Sequence, residues 1–288
     1  MRGDCNLCSV KPRPRNFVLL ILDSCRFDAL VKARPRHISR LGEIERRWSY
    51  ATWTAPSHYN LLMGLLPHPA PTHVFASSWY QRDLLRYEQR LGIDGLGFAD
   101  LLPRLWLPSY LRSIGYRTRA LVSLPVLNPA TPLAVDFDSY EKMERHNDLA
   151  AMIPKLRFED DHPTFYLLNT GETHYPYAPP GEPESQWPRI HGVHGVFQRI
   201  SAGQPLHVSE APTFFNQERL DQLRRRQILV IDAVDAAVEM LFDVLPENTW
   251  VTITSDHGEL FGEDSFFGHG PIPHRKVLEV PFVEGLLR

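Results

Sequence analysis

The segment Ser255-Asp256-His257-Gly258-Glu259, with Gly268-His269-Gly270 close behind, brings a carboxylate, two imidazoles and several glycines into one short stretch. Aspartate and histidine both ligate divalent cations, and glycine lets the backbone turn tightly around such a group. A plainer reading stands beside it: Asp256 as a helix cap and His257 as a turn residue. A second carboxylate, Asp23, ends the apolar run Phe17-Val18-Leu19-Leu20-Ile21-Leu22. A third segment, Thr54-Ala55-Pro56-Ser57-His58, leads into Leu61-Leu62-Met63-Gly64. Pro56 suits the first turn of a helix and Thr54 its start, where unpaired amides and the positive end of the dipole favour developing anions. Thr54 is then either a cap or a hydroxyl aimed at an anionic centre.

Three elements must hold these groups. The β-branched run Asn248-Thr249-Trp250-Val251-Thr252-Ile253-Thr254 reads as a buried strand, as does Phe17–Leu22. Open α/β sheets bind ligands at the carboxyl ends of their strands, so two such strands deliver Asp23 and Asp256 to one edge. From Glu218 to Leu245, Leu220, Leu223, Val230, Val234, Val238, Leu241 and Leu245 recur at helical spacing. That helix precedes the Asp256 strand as a crossover should. Arg224, Arg225 and Arg226 on it read as a solvated face.

In this order the segments resemble the alkaline phosphatase superfamily, in its sulfatase-like branch. There an early strand ends in a metal-binding Asp, and a nucleophile heads a helix in a Cys-x-Pro-Ser-Arg motif or a Thr or Ser equivalent. A late strand ends in Asp-His or Asp-Asn. Gly171-Glu172-Thr173-His174-Tyr175-Pro176-Tyr177 is similar to the Thr-His-x-Pro-Tyr segment of that family, and Leu111–Thr118 to its helix-to-strand passage. Phe137-Asp138-Ser139-Tyr140 is similar to a short motif downstream, and Lys276–Phe282 to the last core strand. The resemblance implies an α/β fold: a central, mostly parallel sheet with helices on both faces. The chain stops six residues after Phe282, which on this resemblance gives a sulfatase-like core without the C-terminal subdomain. Its cleft is then open on one side, to be covered by a partner, a second protomer or the 176–216 loop.

The departures from the family pattern set the chemistry. Sulfatases make formylglycine from Cys or Ser; Thr54 stands there instead, and its oxidation gives a ketone rather than an aldehyde. His58 stands where the motif has Arg. Threonine is the nucleophile in the similar nucleotide pyrophosphatase/phosphodiesterases and lipoteichoic acid synthases, so the resemblance implies phosphodiester or phosphomonoester cleavage or transfer. Asp23, Asp256 and His257 would hold one divalent ion, Mn, Zn, Mg or Ca, with Thr54 as its fourth ligand. His174, His269 and Lys276 would serve the anionic substrate, with His269 as the alternative proton donor to the leaving oxygen. Glu172, His174 and His269 form the weaker possibility of a second metal site. Two alternatives stay open: a sulfate or phosphonate ester hydrolase using unmodified Thr54, and a repurposed tailoring or binding protein of the same fold.

The 288 residues carry a net charge of −3, which leaves no electrostatic footprint for nucleic acid or an anionic membrane. No apolar run is long enough to span a bilayer or serve as a signal-peptide core, from which a cytoplasmic location is expected. A small-molecule ester is the expected partner, with a homo-oligomer as a further possibility. Residues 1–15 read as a flexible tail ahead of one catalytic domain over 16–288. Cys5 and Cys8 lie in that tail, with no second pair to complete a zinc site. The stretch 67–110, rich in aromatics and proline, reads either as a substrate cap or as a helical excursion packed on the sheet, and 176–216 as a long loop or lid. His191 and His194 in that loop read as surface histidines.

Overall fold

The computed structural model describes residues 15–70, 73–97, 100, 105–190 and 216–287. Cys5, Cys8, His191, His194 and most of the 176–216 loop lie outside the described residues. A seven-stranded sheet runs in the order β2-β9-β6-β1-β5-β3-β4. Its strands are β1 (Asn16–Leu22), β2 (Glu45–Trp48), β3 (Arg117–Val122), β4 (Ser139–Lys142), β5 (Thr164–Thr170), β6 (Thr249–Thr254) and β9 (Glu279–Leu286). β6, β1, β5, β3 and β4 are mutually parallel, and β9 runs antiparallel between β6 and β2. A short hairpin, β7 (Leu260–Phe261) with β8 (Phe267–Gly268), follows the end of β6.

β1 is central because both of its faces are apolar. Val18, Leu20 and Leu22 enter one core with Ile231, Val234, Val238 and Leu241 of the long helix, while Phe17, Leu19 and Ile21 enter another on the opposite face. A strand covered on both sides reads as one unbroken apolar run, and each such side chain contributes about 1.5–3 kcal/mol by leaving water.

On the second face lie α2 (Thr54–Leu62), α3 (Ala76–Leu85), α4 (Tyr87–Leu91) and α5 (Leu107–Ser113), contributing Leu61, Leu62, Leu84, Tyr87, Leu91, Leu107 and Leu111 to that core. Within the described part of the 67–110 stretch Leu84, Tyr87, Leu91 and Leu107 enter the core, while Val74, Phe75, Leu85 and Leu105 are exposed. On the first face lie α1 (Phe27–Ala33) and α6 (Gln217–Val244), the latter 28 residues long and capped by the Asn216 side chain. Arg224 pairs with Asp28 at 3.0 Å, and Arg226 with Glu182; two of the three arginines read as solvated are thus engaged. Lys276–Leu278, read from sequence as strand, belongs to the short helix α7 (Arg275–Leu278), and the strand begins at Glu279. Only Glu279 separates the apolar residues of the helix from those of the strand, with no glycine or proline between them to mark the boundary.

Candidate functional site

β1 and β6 are paired in parallel, with Ile21 opposite Thr254. Carried two residues further, that register sets Asp23 level with Asp256 at the carboxyl edge, where both are buried. Ser24 follows Asp23 with φ 60°, a conformation that costs a non-glycine residue about 1–3 kcal/mol. The turn aims the Ser24 amide at Asp256, donating to Oδ1 at 3.1 Å, and the His257 amide donates to the same oxygen at 2.9 Å. The other oxygen, Asp256 Oδ2, is buried without a hydrogen-bond partner among the described residues.

Gly258 is required by space. A Cβ there would lie 2.2 Å from the Lys276 carbonyl oxygen, and its amide donates to Val277 O at 2.7 Å. This close approach fixes His257, whose Nδ1–H donates to the Gly258 carbonyl at 2.9 Å. The unprotonated Nε2 then faces inward, 3.3 Å from Asp256 Oδ2 and 3.3 Å from Thr54 Oγ1. Thr54 is the first residue of α2 and makes no capping bond; its hydroxyl points to the histidine.

One ligand atom each from Asp23, Asp256 and His257 lies within 4.8 Å of the others, and no other described group of three acids, histidines or cysteines comes so close. Burial, then the neighbouring Asp256, pushes the Asp23 carboxyl above its usual range, and burial followed by His269 holds His257 down to about 3. The His257 Nε2 thus faces an unpartnered oxygen of the Asp256 carboxyl at 3.3 Å. A divalent cation fits that donor set, because it accepts from both and neutralises two carboxylates.

Around this centre, His269 stacks 4.2 Å from the His257 ring and His174 lies 5.5 Å from His269. His269 Nδ1–H donates to Glu259 Oε1 at 3.0 Å, and the Tyr177 hydroxyl donates to Glu259 Oε2 at 3.1 Å. Burial alone would lower His269, but the Glu259 carboxylate outweighs it and raises the imidazole to about 9. Glu259 was not singled out from sequence; its position two residues beyond His257 was the available signal. Asn169, also missed, sits inside an apolar strand and donates to Asp23 Oδ2 at 3.2 Å.

Two sequence-predicted residues are directed elsewhere. Glu172 is buried, with Oε1 accepting from the Leu149 amide at 2.7 Å and Oε2 from the Thr170 hydroxyl, so it does not join His174 and His269 in a second ligand set. Lys276 Nζ is 3.2 Å from Asp28 and 3.6 Å from Glu279, in a network that also ties Arg26 and Arg224 to Asp28. Cys25 is buried and burial pushes its thiol up, away from nucleophilic character.

No family model matches the chain. The C-terminal periplasmic domain of Escherichia coli EptC, in a structure with zinc, superimposes with a TM-score of 0.53 at 16% identity, over 96% of this chain and 74% of that one. The corresponding domain of the phosphoethanolamine transferase EptC from Campylobacter jejuni gives 0.52 at 13% identity, over 95% and 79%. A phosphonate monoester hydrolase of Agrobacterium radiobacter gives 0.53 at 15% identity, over 94% and 68%. In sequence, a Caenorhabditis elegans protein named as an extracellular sulfatase Sulf-1 homolog is 29% identical over 111 residues, which are 37% of this chain and 13% of that protein. The chain has the alkaline phosphatase superfamily fold, as its motifs imply, with transferases and hydrolases of the sulfatase-like branch as its structural neighbours.

The expectation of a cytoplasmic location is overturned by the same comparisons, since the similar solved domains are periplasmic and the similar sequence is named extracellular. It rested on the lack of a spanning run. Among the described residues no helix is long and apolar enough to cross a membrane, and that bears on spanning alone: a buried α/β core carries no compartment address.

Proposed function

We propose that this protein is a metal-dependent hydrolase or transferase of phosphate esters, working through Thr54. The observation that carries this reading is the Thr54 hydroxyl 3.3 Å from His257 Nε2, beside an unpartnered Asp256 oxygen. The superfamily fold supports ester cleavage or transfer in general, and threonine in place of Cys or Ser favours phosphate over sulfate.

Asp23, Asp256, His257 and Thr54 are the residues that would hold a divalent ion. When bound, the ion would polarise the ester and acidify the Thr54 hydroxyl. Thr54, fixed at the first position of α2, presents Oγ1 to phosphorus with no loop to order beforehand. The Oγ1 proton passes to solvent, and a bond forms from Oγ1 to phosphorus as the bond to the leaving oxygen breaks. His269, held protonated by Glu259, offers Nε2–H to that oxygen, so the proton leaves with the departing alcohol. His174, next to His269, faces the remaining anionic oxygens. Water or an acceptor alcohol then takes the phosphoryl group from Thr54, returning His269 to its protonated form.

The test is aryl phosphate mono- and diester cleavage by purified protein, before and after chelation and after zinc or manganese is restored. Cleavage lost on chelation, regained with metal and absent in Thr54→Ala is expected. Cleavage unchanged in Thr54→Ala would overturn the assignment.

A further inference from the structure

His58 occupies the place of the motif's arginine, and its surroundings admit a single protonation pattern. The Ser123 amide donates to Asn169 Oδ1 at 3.3 Å, which turns the Asn169 amino group the other way. One Nδ2–H donates to Asp23 Oδ2 at 3.2 Å, and the other meets His58 Nε2 at 3.3 Å. His58 Nε2 is therefore the bare nitrogen, and Nδ1–H donates to the Thr54 carbonyl at 2.8 Å. A flipped Asn169 would set an oxygen against Asp23 Oδ2 and an amino group against the Ser123 amide. All five residues are buried, so no water relieves that clash.

We propose that Asn169 and His58 act as a positioning bridge, tying the Asp23 carboxylate to the first turn of α2 and holding Thr54 in register with the ligand set. The bridge gathers the ends of three adjacent strands: Asp23 after β1, Asn169 in β5 and Ser123 after β3. It also accounts for the lone Asp256 oxygen. His58 Nδ1 lies 3.7 Å from Asp256 Oδ2 but gives its proton to Thr54 O. The Nδ1–H of this imidazole is already given to Thr54 O, so Asp256 Oδ2 is left without a donor. The competing view is that His58 merely bonds the carbonyl four residues back, as Asn60 does to Pro56.

The bridge rests on the metal-dependent reading of the site, and two readouts separate them: zinc affinity by calorimetric titration, and steady-state cleavage of an aryl phosphodiester. Asn169→Ala removes a partner of a ligand and is expected to weaken zinc binding about 10-fold or more. His58→Ala leaves Asp23 its amide partner, so zinc affinity stays within about threefold while kcat falls about 10- to 100-fold at unchanged KM. His58→Gln, which offers both a donor and an acceptor, recovers most of kcat. In the double variant kcat is no lower than in the worse single variant, because the two residues act as one unit. If Asn169→Ala gives no cooperative melt, Asn169→Leu keeps the volume without the amide. Wild-type zinc affinity and kcat in every variant would overturn the bridge alone; a wild-type protein that binds no zinc would overturn the metal-dependent reading and the bridge with it.

Discussion

Two clusters of charge are buried in this molecule, and they are completed differently. Between the sheet and α3–α4, Arg90 pairs with Glu284 through two contacts of 2.9 and 3.4 Å, while Arg86 reaches the same carboxylate at 2.7 Å. Asp83 sits 3.6 Å from Arg90 and 3.7 Å from Arg47, whose guanidinium lies 3.5 Å over the Phe282 ring. Trp250 and Thr252 add donors to Glu284. Burial would raise Glu284, but Arg90 outweighs it and brings the carboxyl down to about 2. At the carboxyl edge, by contrast, Asp23 and Asp256 face a neutral imidazole, and one oxygen has no partner. Side chains finish the first cluster, while the second calls for a cation from outside. Buried charge with a fitted partner is structure; buried charge without one marks a candidate binding site.

The contrast breaks most visibly in activity. Thr54→Ala is expected to lower kcat/KM for an aryl phosphodiester by about 10⁴-fold, with zinc still bound and the melting temperature kept. Glu284→Gln should leave cleavage by the folded enzyme intact yet cost about 3 kcal/mol in urea unfolding, because it strands the buried Arg90. Asp256→Asn should move stability the other way. In the metal-free protein it is expected to stabilise by about 1 kcal/mol, since it removes an uncompensated charge and supplies a donor for His257 Nε2. The same variant should lose zinc affinity by about 100-fold or more.

Acid sharpens the same comparison. The Glu284 carboxyl is depressed from an ordinary 4.5 to about 2, so its contribution is full above pH 4.5 and is lost as pH falls through about 2. That contribution amounts to about 3 kcal/mol. Metal-free wild type should therefore lose stability over this window more steeply than Glu284→Gln, as read by urea midpoints at pH 5 and pH 2.5. The smallest effect is a control: Lys155→Ala breaks a surface pair with Glu141 and should change stability by less than about 0.5 kcal/mol.

Much of this arrangement was legible in the chain. The apolar runs leading to Asp23 and Asp256 announced two buried strands, and parallel pairing sets both carboxylates at one edge of the sheet. The helical spacing read over Glu218 to Leu245 matches α6 to within a residue at each end. Pairing across the sheet was not legible. Arg47 and Arg90 look like surface charges in sequence, and only the tertiary fold encloses them with Glu284, which lies 194 residues from Arg90. Asn169 was hidden for a similar reason, since a polar residue in an apolar strand carries no local mark of the side chain it faces. The partner of Lys276 was not legible either: it pairs with Asp28, far away in sequence.

The most direct test of the central claim is anomalous scattering from crystals of the protein soaked in zinc. The account predicts one strong peak bounded by Asp23, Asp256 and His257, within coordinating distance of Thr54 Oγ1. A peak elsewhere with that edge empty, or none at all, would contradict it.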